Sequence, residues 1–348
     1  ERSAQGSVSF SIAKVLVTGP GSAGKTCLIH TLATGRYPVE EPGMTNGVDV
    51  QRVEESEVEL LFYDFGGQPV YASSHQLFLR SRAVFVVAWD PRIDAEPPHA
   101  YVRDVLDANP EARILFVTTK ADEGHAPPAA GLRERLQETY PANFKGLHQV
   151  SAKRGDNLKE LVAALVTEAR TLPFMDQELP ASYQTLRQRV EQLQADTSQF
   201  YLTAAEFRAE ATSAGVPEDG VATVRTLFHS WGLVLQLPGD PEESPMVLRP
   251  KDLADVLGEV VTTHADKMKN CQDGLLRHGD IGLVWKAFDE ALHPYFLQLI
   301  HDNDLGIPLT VASGQGTESQ DLEATLIPAM LQVPIVHTHS RRVHTYTH

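Results

Sequence analysis

The stretch KVLVTGPGSAGKTCLIHTLATG, residues 14–35, decides the reading of the fold. It opens with a short apolar run, as expected of a strand buried on both faces, and passes into a helix over about residues 25–33. Between the two, Gly19-Pro20-Gly21-Ser22-Ala23-Gly24-Lys25-Thr26 fits G-x-x-x-x-G-K-[ST] in the strand-then-helix context this motif requires. Glycines let backbone N–H groups turn inward around phosphate oxygens, and the helix start adds its partial positive charge. The segment is therefore expected to cradle a polyphosphate through Gly19, Gly21, Ser22, Ala23, Gly24 and Cys27. Lys25 would neutralise the β- and γ-phosphates, and Thr26 would give its hydroxyl to a bridging Mg²⁺. The Cys27 side chain itself reads as a small core residue.

Outward from this loop, apolar strands alternate with helical segments as far as Arg170, which predicts an α/β sheet with helices on both faces. Strands are expected at 14–19, 58–65, 83–90, 113–120 and 146–151, with an alternating edge strand starting at Gly47 beside 58–65. Helices are expected at 25–33, 99–108, 129–139 and 157–170, the last with Leu158, Leu161, Val162 and Leu165 on one face. Ligands of open α/β sheets bind at the carboxyl ends of strands, so the residues there are the candidates. Asp64-Phe65-Gly66-Gly67-Gln68 ends the 58–65 strand. Asp64 is placed to hold Mg²⁺ through water, the Gly67 N–H to reach the γ-phosphate and Gln68 to orient an attacking water. Thr45 offers Mg²⁺ a second hydroxyl. Thr119-Lys120-Ala121-Asp122 ends the 113–120 strand, and a carboxylate such as Asp122 accepts the paired N–H donors of guanine, which adenine lacks on that edge. Ser151-Ala152-Lys153 closes the set, with the Ala152 N–H directed at the guanine O6.

The chain of 348 residues carries 42% apolar and 22% charged residues, an ordinary globular composition. Its formal charge of -16 argues against coating nucleic acid. Cys27 and Cys271 cannot form a disulfide framework, and free thiols suit a reducing compartment, so a cytoplasmic protein is expected. No apolar run approaches the roughly 20 residues of a membrane span. With Glu1 as its first residue, the sequence reads as a fragment of something longer. Turn signals in TLPFMDQELPAS, residues 171–182, place a boundary between domains at 12–172 and 180–332, with an irregular tail at 333–348. The second domain reads as a mostly helical α+β module: a capping box at Thr203 and Glu206, a helix before Trp231, a hairpin at 232–250, and helices near 251–265 and 280–300. The helices and hairpin resemble a winged helix, but its recognition-helix candidate offers only Arg225 as a permanent cation, too few to track phosphates. Asp64-Phe65-Gly66 also spells a kinase metal motif, without the upstream kinase elements. His337, His339, His344 and His348 lack a second shell for a metal.

Taken together, residues 14–170 resemble a Ras-type small GTPase, and more closely the Roc domain of the Roco family, whose second switch commonly reads DFGGQ and whose first reads T-x-G, here Thr45-Asn46-Gly47. Residues from about 180 to 330 resemble the first part of the COR domain that follows Roc, through LPASYQTL, WGLVLQL, VLRPKDLADVL, GLLRHGDI and LIPAML. The resemblance implies a GTP-binding molecular switch that hydrolyses GTP to GDP and phosphate slowly, with Mg²⁺, and a COR module that passes the nucleotide state to protein effectors or regulators. Its alternative is a scaffold holding GTP without useful hydrolysis; Asp122 disfavours an ATPase. Thr119 stands where Ras-type proteins carry Asn, which is expected to remove a brace between the phosphate loop and the base. Arg36, Arg80 and Arg82 flank the switches but read as surface residues. The family's usual dimer contact lies in a second COR subdomain, which the sequence lacks after about residue 332, so a homodimer is expected only of a longer form.

Overall fold

Strands form where short apolar runs are covered on both faces. The computed structural model describes residues 6–40, 48–66, 78–123, 131–173, 175–261, 267, 269–313, 320–331, 335–339 and 342–346. In chain order, β1 (Ser7–Phe10) and β2 (Ile12–Thr18) lead into α1 (Lys25–Thr34), followed by β3 (Val48–Glu55) and β4 (Val58–Phe65). Then come β5 (Val84–Trp89), α2 (His99–Ala108), β6 (Arg113–Thr118), α3 (Leu132–Thr139), β7 (Phe144–Gln149) and α4 (Leu158–Ala169). Six of the strands make one sheet in the order β3-β4-β2-β5-β6-β7, parallel except for β3, which runs antiparallel to β4 at the edge. Every residue of β2, β4 and β5 is buried, as expected of largely apolar strands covered on both faces, and the burial extends to Lys14, Glu59 and Asp64. Val15, Val17, Val86 and Leu115 pack with Leu28 and Ile29 of α1 and with Leu161 and Leu165 of α4. Burying one such side chain contributes about 1.5–3 kcal/mol. The sheet and helices match the α/β expectation, and the order reverses at β2, so the loops after β2 and β4–β7 gather at one edge.

The chain divides into two compact units, Glu1–Ala254 and Asp255–His348. The first continues beyond α4 with β8 (Gln177–Pro180), which pairs antiparallel with β1. The sequence gives no sign of this pairing, because both segments are four residues long and of mixed polarity. Next come α5 (Ala181–Ala195), β9 (Tyr201–Leu202), α6 (Ala204–Ser213), α7 (Val221–Trp231), β10 (Leu235–Gln236) and β11 (Met246–Val247). The three short strands form a sheet in the order β10-β11-β9 beside α6 and α7, the winged-helix-like arrangement expected. The capping box is present: the Glu206 N–H donates to Thr203 Oγ1 at 3.2 Å, and the Thr203 N–H to Glu206 Oε2 at 2.8 Å. Arg225, the one permanent cation of the recognition-helix candidate, is buried. Its Nε donates to the Pro241 carbonyl at 3.1 Å and its Nη2 to that of Ser244 at 2.5 Å.

After α8 (Leu253–Gly258), the second unit holds β12 (Leu275–Arg277), α9 (Ile281–Val284), α10 (His293–Asp302), β13 (Ile307–Ser313) and β14 (Gln320–Leu326). The helix expected over 280–300 is broken between α9 and α10. Pro294 has no N–H to bond back and sits in the first turn of α10, where none is needed. Trp285, fully buried, fills the break and donates from Nε1 to the Val256 carbonyl at 3.0 Å. The helix expected over 251–265 is the shorter α8, and residues 262–266 lie outside the described ones. β12, β14 and β13 form an antiparallel sheet for which the sequence pattern gives no strand signal. Within the stretch read as an irregular tail, β15 (Ile335–His339) and β16 (Arg342–Tyr346) pair as a hairpin.

Candidate functional site: a phosphate loop joined to a base-side loop

The loop from Gly19 to Gly24 leaves β2 and enters α1 through backbone shapes that few side chains allow. Gly19 has φ 142°, and a Cβ there would lie 2.0 Å from the Ala88 carbonyl oxygen, so only glycine fits. Gly24 caps α1 with φ 79°, and Ser22 also has positive φ, at 61°. Lys25, the first residue of α1, is 6% exposed. Its Nζ donates to the Gly19 carbonyl at 2.8 Å and the Pro20 carbonyl at 2.9 Å, folding the side chain along the loop. Burial lowers its pKa to about 8, against the opposing pull of the Asp64 charge. Thr26 donates from Oγ1 to Asp64 Oδ2 at 2.6 Å, joining the start of α1 to the end of β4. A hydroxyl beside a carboxylate is a hard-oxygen donor pair, which suits Mg²⁺. Gly21 and Ser22 are exposed, Ala23 is buried, and Cys27 is half-buried rather than in the core.

The base-side residues converge on the same loop. Thr119 Oγ1 lies 2.7 Å from the Ala23 carbonyl and 3.1 Å from that of Trp89. The hydroxyl thus makes the brace to the phosphate loop that the absence of Asn was expected to remove. Lys120 reaches across as well, its Nζ donating to the Ser22 carbonyl at 2.9 Å. Asp122 accepts from Ser151 Oγ at 2.6 Å, which ties the loop after β6 to the loop after β7. Burial pushes the Asp122 carboxyl up, but the Ser151 hydrogen bond and the nearby charges of Lys153 and Arg154 leave it below its ordinary value. Ala152 is half-buried and Lys153 exposed beside it. Thr45, Gly67 and Gln68 lie outside the described residues. The structure adds Asp90 and Arg92, which the sequence reading passed over. The signal was present, since Asp90 ends an apolar strand at the same edge as Asp64 and Asp122. Among the described residues, no helix is long and apolar enough to cross a membrane, and no three His, Cys, Asp or Glu side chains gather to hold a metal.

The sheet order and the loops along its edge define a P-loop GTPase fold. Residues 14–122 match the family described as "Ras of Complex, Roc, domain of DAPkinase". The chain is 23% identical over 350 residues to the probable serine/threonine-protein kinase pats1 of Dictyostelium discoideum, covering 91% of this chain and 11% of that protein. It is 29% identical over 213 residues to the Ras-related protein Rab-34 of Homo sapiens, covering 58% of this chain and 80% of that one. Its fold is similar to that of Methanosarcina barkeri Roco2 RocCORdC bound to GDP, with a TM-score of 0.72, 21% identity, and coverage of 94% of this chain and 98% of the other. Residues 14–122 thus carry a Roc domain, and beyond it the chain is similar to Roco-type proteins over most of its length. It spans about a tenth of the length of pats1 and of a second Dictyostelium discoideum kinase, roco6.

Proposed function

We propose that this chain is a guanine-nucleotide switch that binds GTP and GDP and hydrolyses GTP to GDP and phosphate. The observation that carries this reading is the joining of two loops: Thr119 and Lys120, beside the guanine-selecting Asp122, bond directly to the phosphate loop at Ala23 and Ser22. One grip therefore serves both ends of a nucleotide, and the GDP of the Methanosarcina barkeri relative supports the same ligand class here. Lys25 supplies positive charge to the β- and γ-phosphates, and backbone N–H groups of Gly21, Ser22, Ala23, Gly24 and Cys27 hold their oxygens. Thr26, Thr45 and Asp64 would hold Mg²⁺, which when bound neutralises charge between those phosphates. The Gly67 N–H meets the γ-phosphate, and Gln68 orients the attacking water and keeps its lone pair in line. Asp122 accepts the guanine donors while the Ser151 hydroxyl fixes its carboxylate, and the Ala152 N–H meets the base oxygen with Lys153 beside it. Catalysis of this kind is positioning and electrostatics.

Domain by domain, the reading is Roc at 12–172, the first COR subdomain at 180–332 and a tail at 333–348. The COR part passes the nucleotide state to protein partners in the cytoplasm. The test is calorimetric titration of nucleotide-free protein with GTP, GDP and ATP in Mg²⁺, followed by single-turnover phosphate release. Guanine-selective binding with release is the expected result. Binding without release would leave a GTP-holding scaffold, and ATP binding as tight as GTP would overturn the role of Asp122.

A further inference from the structure

The carboxyl end of β5 carries a charge cluster that none of the phosphate- or base-binding motifs includes. Asp90 follows β5 directly and its side chain is 1% exposed, a costly place for an anion unless it is fully paired. Both of its oxygens are held. Oδ1 accepts from the Arg92 backbone N–H at 3.0 Å and from Arg92 Nε at 3.0 Å, while Oδ2 accepts from Nε at 3.1 Å and Nη2 at 2.6 Å. The Lys120 ammonium lies 3.2 Å from Oδ2. Burial alone would raise the Asp90 carboxyl, but Arg92 and Lys120 outweigh it and hold the group well below the usual carboxylate range. Arg92 spans further, pairing through Nη1 with Glu123, the neighbour of Asp122.

Lys120 shows what this anion does. Its backbone is left-handed, with φ 57°, a conformation that a side chain other than glycine's adopts only when its surroundings hold it there. Its Nζ is fixed twice, by the Ser22 carbonyl of the phosphate loop at 2.9 Å and by Asp90. Its Cε lies 3.7 Å from the point where a Cβ on Gly24 would stand, so the methylene stem is laid along the loop. A stem fixed at both ends presents a set apolar flank to a planar base and loses little freedom when that base arrives.

We propose that Asp90 is a positioning residue for the nucleotide, anchoring the Lys120 ammonium so that the lysine stem forms a preset wall for the base of a purine nucleotide, with Arg92 bracing Asp90 from behind. This rests on the guanine-nucleotide reading above. Asp90 touches no ligand in this scheme and acts only through Lys120, which separates it from a residue that merely stabilises the fold.

The experiment is stopped-flow release of GDP bearing an N-methylanthraniloyl fluorophore, measured on the whole chain as wild type, Asp90→Asn, Lys120→Met and the double variant. Loss of a charge-assisted anchor is expected to speed release from Asp90→Asn about tenfold. In the Lys120→Met background, Asp90→Asn should add less than about twofold, because residues acting as one unit are not additive. A purely structural Asp90 would give the same increment in both backgrounds, and that result, or release from Asp90→Asn at the wild-type rate, overturns the proposal. Should Asp90→Asn fail to fold, Arg92→Gln keeps both Asp90 and Lys120 and removes the brace. It is expected to speed release about threefold, an effect lost with Lys120→Met, and an effect that persists there overturns the proposal equally. Wild-type protein that fails to bind the labelled GDP would overturn the nucleotide reading itself, a failure distinguishable from the others because it shows before any substitution is made.

Discussion

Two neighbouring residues of β4 look in opposite directions. Asp64 meets Thr26 at the nucleotide edge, whereas Tyr63 donates its hydroxyl to the Gly232 carbonyl at 2.9 Å, just past the end of α7. Lower on the same strand, Glu59 pairs with Arg187 of α5 at 2.6 Å and with Arg52 of β3 at 2.6 Å, and both arginines also reach Glu191. Phe10 stacks on Trp231 with ring centroids 5.2 Å apart. The edge is built from consecutive residues in loops, with backbone shapes at Gly19, Ser22 and Gly24 that the motif spacing announces. The junction is built from single residues scattered over five elements, shaped only for each other. One strand thus carries a site that motifs describe and a seam that no motif describes, and their sensitivities to substitution should differ accordingly.

The seam should lose the most stability. The Arg187 side chain is 11% exposed and Glu59 10%, so Arg187→Ala leaves a carboxylate in the seam with Arg52 as its remaining cation. That should cost about 3 kcal/mol or more in denaturant unfolding. Arg187→Met with Glu59→Leu removes both charges at similar volume and is expected to recover most of the loss; a double variant as unstable as the single one would mean the ions are worth more than their desolvation. The edge should respond in the converse way. Lys25→Ala is expected to weaken GTP binding by roughly 100-fold or more, through lost charge-assisted bonds to phosphate, while the nucleotide-free protein melts close to wild type. Unchanged affinity would sink the site assignment, and a large fall in melting temperature would make Lys25 a part of the fold instead.

Lys14 sharpens the comparison, because it sits on β2, the strand that feeds the phosphate loop, yet faces the seam. It is 7% exposed, and burial lowers its pKa from 10.5 to about 8. Folding therefore disfavours the protonated lysine, and between pH 8 and 10.5 the unfolded chain binds more protons than the native one. Stability conferred by this group must rise with pH through that window. His229, beside it, is held down to about 4 by burial and by the Lys14 charge, so it does not titrate there. Lys14→Met is expected to stabilise the protein at pH 7 by at most about 3 kcal/mol, with the gain shrinking as pH rises towards 10. Lys25, also near 8, leaves a residual slope in the variant. Unfolding midpoints measured by pH for both proteins check this, and parallel curves would show that Lys14 is solvated.

The contrast also explains what the sequence made legible. Largely apolar runs such as VELLFYDF and AVFVVAWD announced strands because burial on both faces favours apolar residues, and the few charged ones, Glu59, Asp64 and Asp90, are each paired or at the nucleotide edge. Glycines at 19 and 24 announced the loop because the backbone there admits little else. Asp90 was missed although it stood at the right strand end, since its role depends on Lys120, 30 residues away, and on a left-handed backbone that no pattern signals. The effect of Thr119 was misjudged because side-chain type was read without geometry: its hydroxyl is short, but the phosphate loop comes within 2.7 Å. The β1–β8 pair escaped because 167 residues or more of chain separate strands of four polar or mixed residues. β13 and β14 escaped because polarity does not follow burial there: Ile307 and Leu322 are exposed, whereas the neighbours Ala324 and Thr325 are both buried.

The finest probe of the divided strand is one oxygen atom. Tyr63→Phe keeps the ring and its contact with Phe78, 5.6 Å between centroids, and removes only the hydroxyl that Gly232 accepts. Burial pushes the Tyr63 phenol well above its ordinary pKa, so at every working pH it is a donor and its loss is a lost hydrogen bond rather than a lost charge. Gly232 has φ 79°, and a Cβ there would come within 2.4 Å of the Tyr63 oxygen, so the carbonyl and hydroxyl meet where no side chain can intervene. Leaving the carbonyl unpaired in the seam should cost about 1–2 kcal/mol in unfolding free energy. Because Asp64 follows Tyr63 directly, the same variant also measures how far the seam is felt at the edge. If the two faces of β4 are independent, GDP affinity stays within about twofold of wild type, as for separated sites. A larger change in affinity with the same loss of stability would show that the strand transmits the state of one face to the other.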